Sequence, residues 1–311
     1  MPKRNRRHLL WTPHYENHFA QWFVSPGRGT EVHLYEACLQ KPGEKAYCRP
    51  TLKGINREFE NLTVTCVDWF PSSTRPLQFA AGLSTGQVVV SYVDLVSTAG
   101  SRHENLTPSG SAVLTRQNQG PRSGSANPQR TCNCVAWNPA QVNLLVAGLG
   151  RSRVEASVQV WDVHQHVETR ALSSLVTDNS SSGMPDYPSS SNRTRQGLSV
   201  NADVRGECVK DENCAAVEWL PGTTQTVVAG FTKWLRVLDL RVAEPTSYVR
   251  SGAHLLALDP YNSMRLATFG GERDDAYIKV WDRRWFSEPL MHVHVGTAAP
   301  KEIRFCPTRE G

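Results

Sequence analysis

Five-residue clusters of apolar and large residues closed by proline punctuate this chain. An apolar residue, any residue, a large apolar residue, any residue and then proline occur six times, beginning at Leu9, Val67, Val135, Val217, Leu256 and Ile303. The large residue is Trp11, Trp69, Trp137, Trp219, Leu258 and Phe305 in turn. Downstream of four copies comes a second apolar run rich in small residues: LQFAAGL at 77–83, NLLVAGL at 143–149, TVVAGF at 226–231 and RLATFGG at 265–271. A third element alternates every second residue: EVHLYE at 31–36, GQVVVSY at 86–92, SVQVWD at 157–162, LRVLDL at 235–240 and YIKVWD at 277–282. Length, Val and aromatic content, and bounding Gly, Pro, Ser or Asn make each element a β-strand. The proline ends each first strand because it has no N–H to give to a ladder. Small residues in the second strand suit a place where neighbouring backbones come close.

Three strands and a weaker fourth, repeated along the chain, predict an all-β fold made of β-propeller blades. Trp161-Asp162 and Trp281-Asp282 are the WD dipeptide that closes the third strand of WD repeats, and Leu238-Asp239 is its degenerate form. The expected architecture is therefore a WD-repeat propeller with five recognisable blades and the first strand of a sixth, so the ring is incomplete. The Trp-type anchors lie 58, 68, 82, 39 and 47 residues apart, and only the last two intervals match a bare blade of ~40–45 residues. The excess falls in two polar, Ser/Gly/Asn-rich stretches, 97–131 and 172–207. Their composition predicts disordered excursions, because it offers too little apolar area to offset ordering. Residues 1–8 form a basic tip and 9–311 the partial propeller.

Charge changes this picture little. The net charge of +5 is spread over 311 residues, and the one dense cluster is Lys3–Arg7 at the tip, read as a solvated terminus. The basic start is followed by only Leu-Leu-Trp before polar residues return, which is not a secretory signal. No run approaches the ~20 apolar residues of a membrane-spanning helix. The expectation is a soluble intracellular protein whose eight cysteines are mostly thiols. The four Asn-x-Ser/Thr sequons at Asn61, Asn105, Asn179 and Asn192 then read as chance matches.

Candidate chemistry reduces to structure at most positions. Cys132 and Cys134 invite a metal reading, but a zinc site wants C-x₂₋₄-C pairs and a second pair of ligands. Strict alternation puts both thiols on one face with Ala136, and Cys66 and Ala216 take the place of Cys134 in sister copies. That pattern predicts a small buried apolar slot. Asp162, Asp239 and Asp282 stand at strand ends, where Asp stabilises turns. No phosphate-binding loop, nucleophile elbow or zinc-protease helix motif is present. The chain is therefore expected to be no enzyme and to need no cofactor or metal. Partner contacts are better sought where the repeat has no counterpart: Lys233 and Trp234 between two strands, and Arg283, Arg284 and Trp285 directly after a WD dipeptide. For Trp285 and Phe286, packing between adjacent blades is the competing reading.

The stretch CNCVAWNPAQVNLLVAGLGRSRVEASVQVWD at 132–162 resembles the corresponding blade of the Mio ("missing oocyte") family of WD-repeat proteins. The resemblance continues in CAAVEWLP and VVAGFTKWLRVLDLR within 214–241, in LDPYNSMRLATF and IKVWDRRWFSEPL within 258–290, and in the closing FCPTREG. The opening LLWTPH is similar to a Trp-x-Pro-His near the start of family members. It thus spans most of 9–311, is weakest in 37–62 and is absent from the two polar stretches. The resemblance implies a non-catalytic scaffold subunit of the GATOR-type (SEA-type) assembly that relays amino-acid sufficiency to TOR kinase. Implied partners are a small Sec-thirteen-like propeller and other WD-repeat subunits. The implied location is cytoplasmic, peripheral at the lysosome or vacuole membrane. Family members carry an α-solenoid and a zinc-binding RING-like region after the propeller, and this sequence stops before either. The alternative is a WD-repeat adaptor of another pathway that touches chromatin or RNA through the basic tip and Arg-rich loops.

Overall fold

The computed structural model describes residues 7–13, 15, 17–25, 29–37, 50–72, 77–93, 112–116, 130–163, 199–242, 245–272, 275–296, 300 and 302–306. These build five blades of four strands. Blade 1 is β1 (Arg7–Trp11), β2 (His18–Ser25), β3 (Gly29–Ala37) and β4 (Pro50–Glu60). Blade 2 is β5 (Val64–Trp69), β6 (Leu77–Leu83), β7 (Val88–Val93) and β8 (Ala112–Arg116). Blade 3 is β9 (Cys132–Trp137), β10 (Leu144–Leu149), β11 (Val158–Asp162) and β12 (Ser199–Cys208). Blade 4 is β13 (Cys214–Trp219), β14 (Thr226–Phe231), β15 (Leu235–Asp239) and β16 (Ser247–Val249). Blade 5 is β17 (Leu255–Leu258), β18 (Arg265–Glu272), β19 (Asp275–Asp282) and β20 (Met291–Gly296). Within each blade, consecutive strands pair antiparallel, and β8 also pairs β12 in parallel, which joins blades 2 and 3 into one eight-stranded sheet.

Two of these strands correct the sequence expectation. The polar stretches 97–131 and 172–207 contribute β8 and most of β12, the fourth strands of blades 2 and 3. A fourth strand lies on the outer rim, so it needs hydrogen-bonding edges more than apolar side chains, and composition hides it. The rest of both stretches lies outside the described residues, apart from Arg130 and Thr131, and so does most of the basic tip, of which Arg7 and His8 open β1. Residues 302–306, the expected first strand of a sixth blade, have no ladder. No second strand is present among the described residues to exchange hydrogen bonds with them.

The hydrophobic core is divided among the seams between blades. One buried cluster joins blades 1 and 2 through Trp22, Leu34, Phe59, Trp69 and Phe79. Further clusters join blades 2 and 3, 3 and 4, and 4 and 5. Because second strands have a neighbouring blade on each side, β6 and β10 are buried at every residue. That is why they read as continuous apolar runs without alternation. Each fully buried Leu, Val or Phe there contributes roughly 1.5–3 kcal/mol.

The anchor tryptophan of one blade packs on the blade before it. The Trp219 indole N–H donates to the Ala136 carbonyl at 2.9 Å, and Trp69 reaches the Leu10 carbonyl at 3.5 Å. Trp69, Trp137 and Trp219 are buried to 5%, 5% and 2% exposure. Trp11 has the same register, opposite Phe19 as Trp69 is opposite Phe79, yet it is 53% exposed. Blade 1 has no preceding blade among the described residues, and its anchor lies against Phe19, with ring centroids 5.3 Å apart.

The paired cysteines are also placed differently from strict alternation. The first strands of blades 2, 3 and 4 each carry a bulge, between Val64 and Cys66, Cys132 and Cys134, and Cys214 and Ala216. One extra residue reverses the side-chain alternation, so Cys132 and Cys134 face opposite seams. Cys66 and Cys132 meet across the blade 2–3 seam over Gly82, where a Cβ would lie 2.5 Å from each sulfur. Cys134 and Cys214 meet across the next seam over Gly148, at 2.4 and 2.7 Å from the same point. Ala253 covers Gly230 in the blade 4–5 seam. The bulged residue itself ties the blades: Thr65 Oγ1 donates to the Cys132 carbonyl and Asn133 Nδ2 to the Cys214 carbonyl at 2.7 Å.

Candidate interaction surfaces

A propeller presents its loops at two ends, and strand direction decides which. Connections from second to third strand, and from each blade to the next, leave by one end; the remaining connections leave by the other. Lys233 and Trp234, in the β14–β15 turn, therefore lie at the first end. Arg283, Arg284 and Trp285, between β19 and β20, lie at the second. The five residues proposed as contacts do not form one site.

At the second end the aspartates and arginines satisfy one another. Asp239 accepts from the backbone and guanidinium of Arg241, and Asp282 does the same with Arg284. The guanidinium bonds hold both carboxyls down to about 2. In blade 3 Asp162 is buried and accepts from Asn143 Nδ2 at 2.9 Å. Trp161 and Trp281 lie in the cores of their seams. Arg283 donates to the Ser263 carbonyl, and burial lowers its pKa. The Trp-Phe pair divides: Phe286 is buried against Trp281, while Trp285 is 73% exposed.

The first end carries a denser arrangement around blades 3 and 4. Trp234 packs half-buried, edge-on to Tyr248 at 5.7 Å, with the Arg236 guanidinium 5.7 Å from its ring. Arg236 is ion-paired with Glu212, Arg151 with Asp211, and Arg130 with Glu155. The loop between β12 and β13 holds Val209 and Asp211 at φ of 60° and 61°, which a β-branched residue adopts only under constraint. Constraint is present: Asp211 N donates to the Ser152 carbonyl, and Ser157 N to the Val209 carbonyl.

A third group lies on the first strands, at the residue before the anchor. Asp68 accepts from the backbone N–H of Trp69 at 3.0 Å and of Trp137 at 2.7 Å, linking blades 2 and 3. Burial nevertheless raises its pKa to about 6. Glu218 holds the equivalent place in blade 4, and burial together with the Asp68 charge raises it to about 8. Arg304 counters both shifts, so residues 302–306 bring a cation toward these carboxylates. A charge in the middle of an apolar strand motif was the sequence signal for this group, and it passed unused. Hydrogen bonds to the thiols of Cys66 and Cys214, followed by burial, raise the pKa of Cys132 and Cys134, which suits packing thiols. Among the described residues, no group of three or more His, Cys, Asp or Glu is placed to hold a metal ion.

The repeated four-stranded blades, the Trp-Asp strand ends and the seam-borne anchors define a WD40-repeat protein. Solved structures share the fold: the WD40 domain of Toxoplasma gondii coronin superposes with a TM-score of 0.56 at 14% identity, over 96% of this chain and 64% of that one. A chain from the COPII outer coat vertex on membranes gives 0.55 at 13% identity, over 94% of this chain and 64% of that chain. The profile of the family described as MIOS, WD40 repeat, matches residues 48–311, and the chain belongs to that family. A relative from Danio rerio, GATOR2 complex protein MIOS, is 25% identical over 97% of this chain and 31% of its own length. Another from Dictyostelium discoideum, also GATOR2 complex protein MIOS, is 23% identical over 84% of this chain and 23% of its own. The chain thus spans about a quarter to a third of the relatives it matches.

Proposed function

We propose that this chain is a non-catalytic WD-repeat scaffold within a GATOR2-type assembly, through which amino-acid availability is relayed to TOR kinase. The observation that carries the proposal is the match of residues 48–311 to the MIOS WD40 family, together with relatives named as GATOR2 complex proteins over nearly the whole chain. The blades fit a scaffold: their polar repeat positions serve turns and seams, and their exposed Trp285, Tyr248 and Trp11 are residue types that anchor interfaces. Partners would include a small Sec-thirteen-like propeller and other WD-repeat subunits. The assembly would be cytoplasmic and peripheral at the lysosome or vacuole membrane. The test is affinity purification of the protein tagged at its genomic locus, with quantitative mass spectrometry of what accompanies it. WD-repeat subunits of such an assembly should be enriched over a tagged unrelated propeller. Recovery without them overturns the proposal.

A further inference from the structure

Among the described residues, the first end of blades 3 and 4 carries more exposed cations than carboxylates. Four connections meet there, and each exposes a cation: Arg153 after β10, Lys210 after β12, Lys233 after β14 and Arg250 after β16. Among the described residues none of the four makes a direct ion pair; Arg153 lies near enough to Asp211 to help lower its pKa, but the hydrogen-bonded partner of Asp211 is Arg151. The carboxylates of the same end, Glu155, Asp211 and Glu212, are each taken by an arginine within the fold. The equivalent β6–β7 turn of blade 2, Ser84 to Gln87, has no charge at all. The corresponding turn of blade 2 therefore does not share this positive charge.

The four connections form one surface. The β12–β13 loop is bonded to the β10–β11 loop through Asp211 N and the Ser152 carbonyl. Glu212 of that loop holds Arg236, which lies over Trp234, and Trp234 meets Tyr248 beside Arg250. Tyr248 is 62% exposed. The surface thus combines a fixed aromatic pair with surrounding unpaired cations, on loops held in shape by internal ion pairs.

We propose that this end of blades 3 and 4 is a docking surface for an acidic, extended segment of a protein partner, with an apolar side chain of that segment seated against Trp234 and Tyr248. Charge complementarity identifies the partner. A nucleic-acid strand carries a charge at every nucleotide and would bring phosphates against Glu155, Asp211 and Glu212 as well. Carboxylate side chains on a peptide can address the four cations separately. The surface is a property of these two blades and does not depend on membership of any assembly, so it stands or falls apart from the function proposed above.

The test is fluorescence anisotropy on the full chain with a labelled peptide of alternating Asp and Glu around one Phe. A single-stranded oligonucleotide of equal charge and a Gln/Asn peptide serve as comparators. Reversing Arg153, Lys210, Lys233 and Arg250 to Glu should weaken the acidic peptide by roughly tenfold or more without moving the thermal midpoint, since all four side chains are exposed. Reversing Arg57 and Arg241, exposed cations elsewhere, should leave binding unchanged. Trp234→Ala and Tyr248→Ala, which keep the charge, should each weaken it about fivefold. No binding of the acidic peptide at low salt overturns the proposal. Equal loss in the Arg57/Arg241 variant, or tighter binding of the oligonucleotide, overturns it too.

Discussion

The middle of the arc and its two ends use the same repeat with opposite results. Between blades 3 and 4, Trp219 is 2% exposed, bonded to a carbonyl of the preceding blade and backed by the Cys134–Cys214 pair over Gly148. At the first end of the arc, the equivalent Trp11 is 53% exposed. At the last, β20 of blade 5 leaves Met291, Val293 and Val295 exposed to 50%, 43% and 36%. The anchor of the repeat therefore encodes a contact with a neighbour, and Trp11, with no preceding blade among the described residues, displays the same side chain to solvent. Stability belongs to seams more than to blades.

Substitutions can break this contrast in order of size. Trp219→Ala should cost about 3–5 kcal/mol, the range for a large buried aromatic, whereas Trp11→Ala should cost less than ~1 kcal/mol. Denaturant unfolding of the two variants measures the difference. Gly148→Val should follow at about 2–3 kcal/mol, because any Cβ there meets the sulfurs of Cys134 and Cys214.

A pH series sharpens the contrast further. Glu218 titrates near 8 in the folded chain against 4.5 when free, and Asp68 near 6 against 3.8. Between those limits the folded chain holds protons that the unfolded chain has released. The stability they contribute is therefore complete below the free values and lost as pH rises to about 6 for Asp68 and about 8 for Glu218. Glu218→Gln should remove the decline between pH 6 and 8 and leave that variant more stable than the parent at pH 8, by roughly 1–3 kcal/mol. An unchanged pH slope would contradict the desolvation of this half-buried carboxyl. At the small end, Arg284→Ala should leave the unfolding midpoint within error, since its pair with Asp282 is exposed.

Much of the fold was legible because seams impose strong patterns. The second strands LQFAAGL and TVVAGF coincide with β6 and β14, since burial on both faces forces a continuous apolar run. The second strand of blade 1, HFAQWFVS, lacks the small-residue run of its sisters and went unread. The rim strands β8 and β12 were hidden in polar sequence. The bulges were invisible for a different reason: a one-residue slip reverses faces without changing composition, so Cys132 and Cys134 were read onto one face. The surface around Trp234 was half legible. Lys233 and Trp234 stood out as breaks in the repeat, but Arg153, Lys210 and Arg250 come from three other connections and Tyr248 from β16, and only the fold brings them together.

Amide hydrogen exchange resolved to individual strands tests most directly whether stability belongs to the seams. The slowest amides should lie in β10 and β14, buried between neighbouring blades, and exchange only with global unfolding. Amides of β1 and β20, the first and last strands among the described residues, should exchange much faster, through local opening. Protection of β1 and β20 equal to that of β10 and β14 would contradict it.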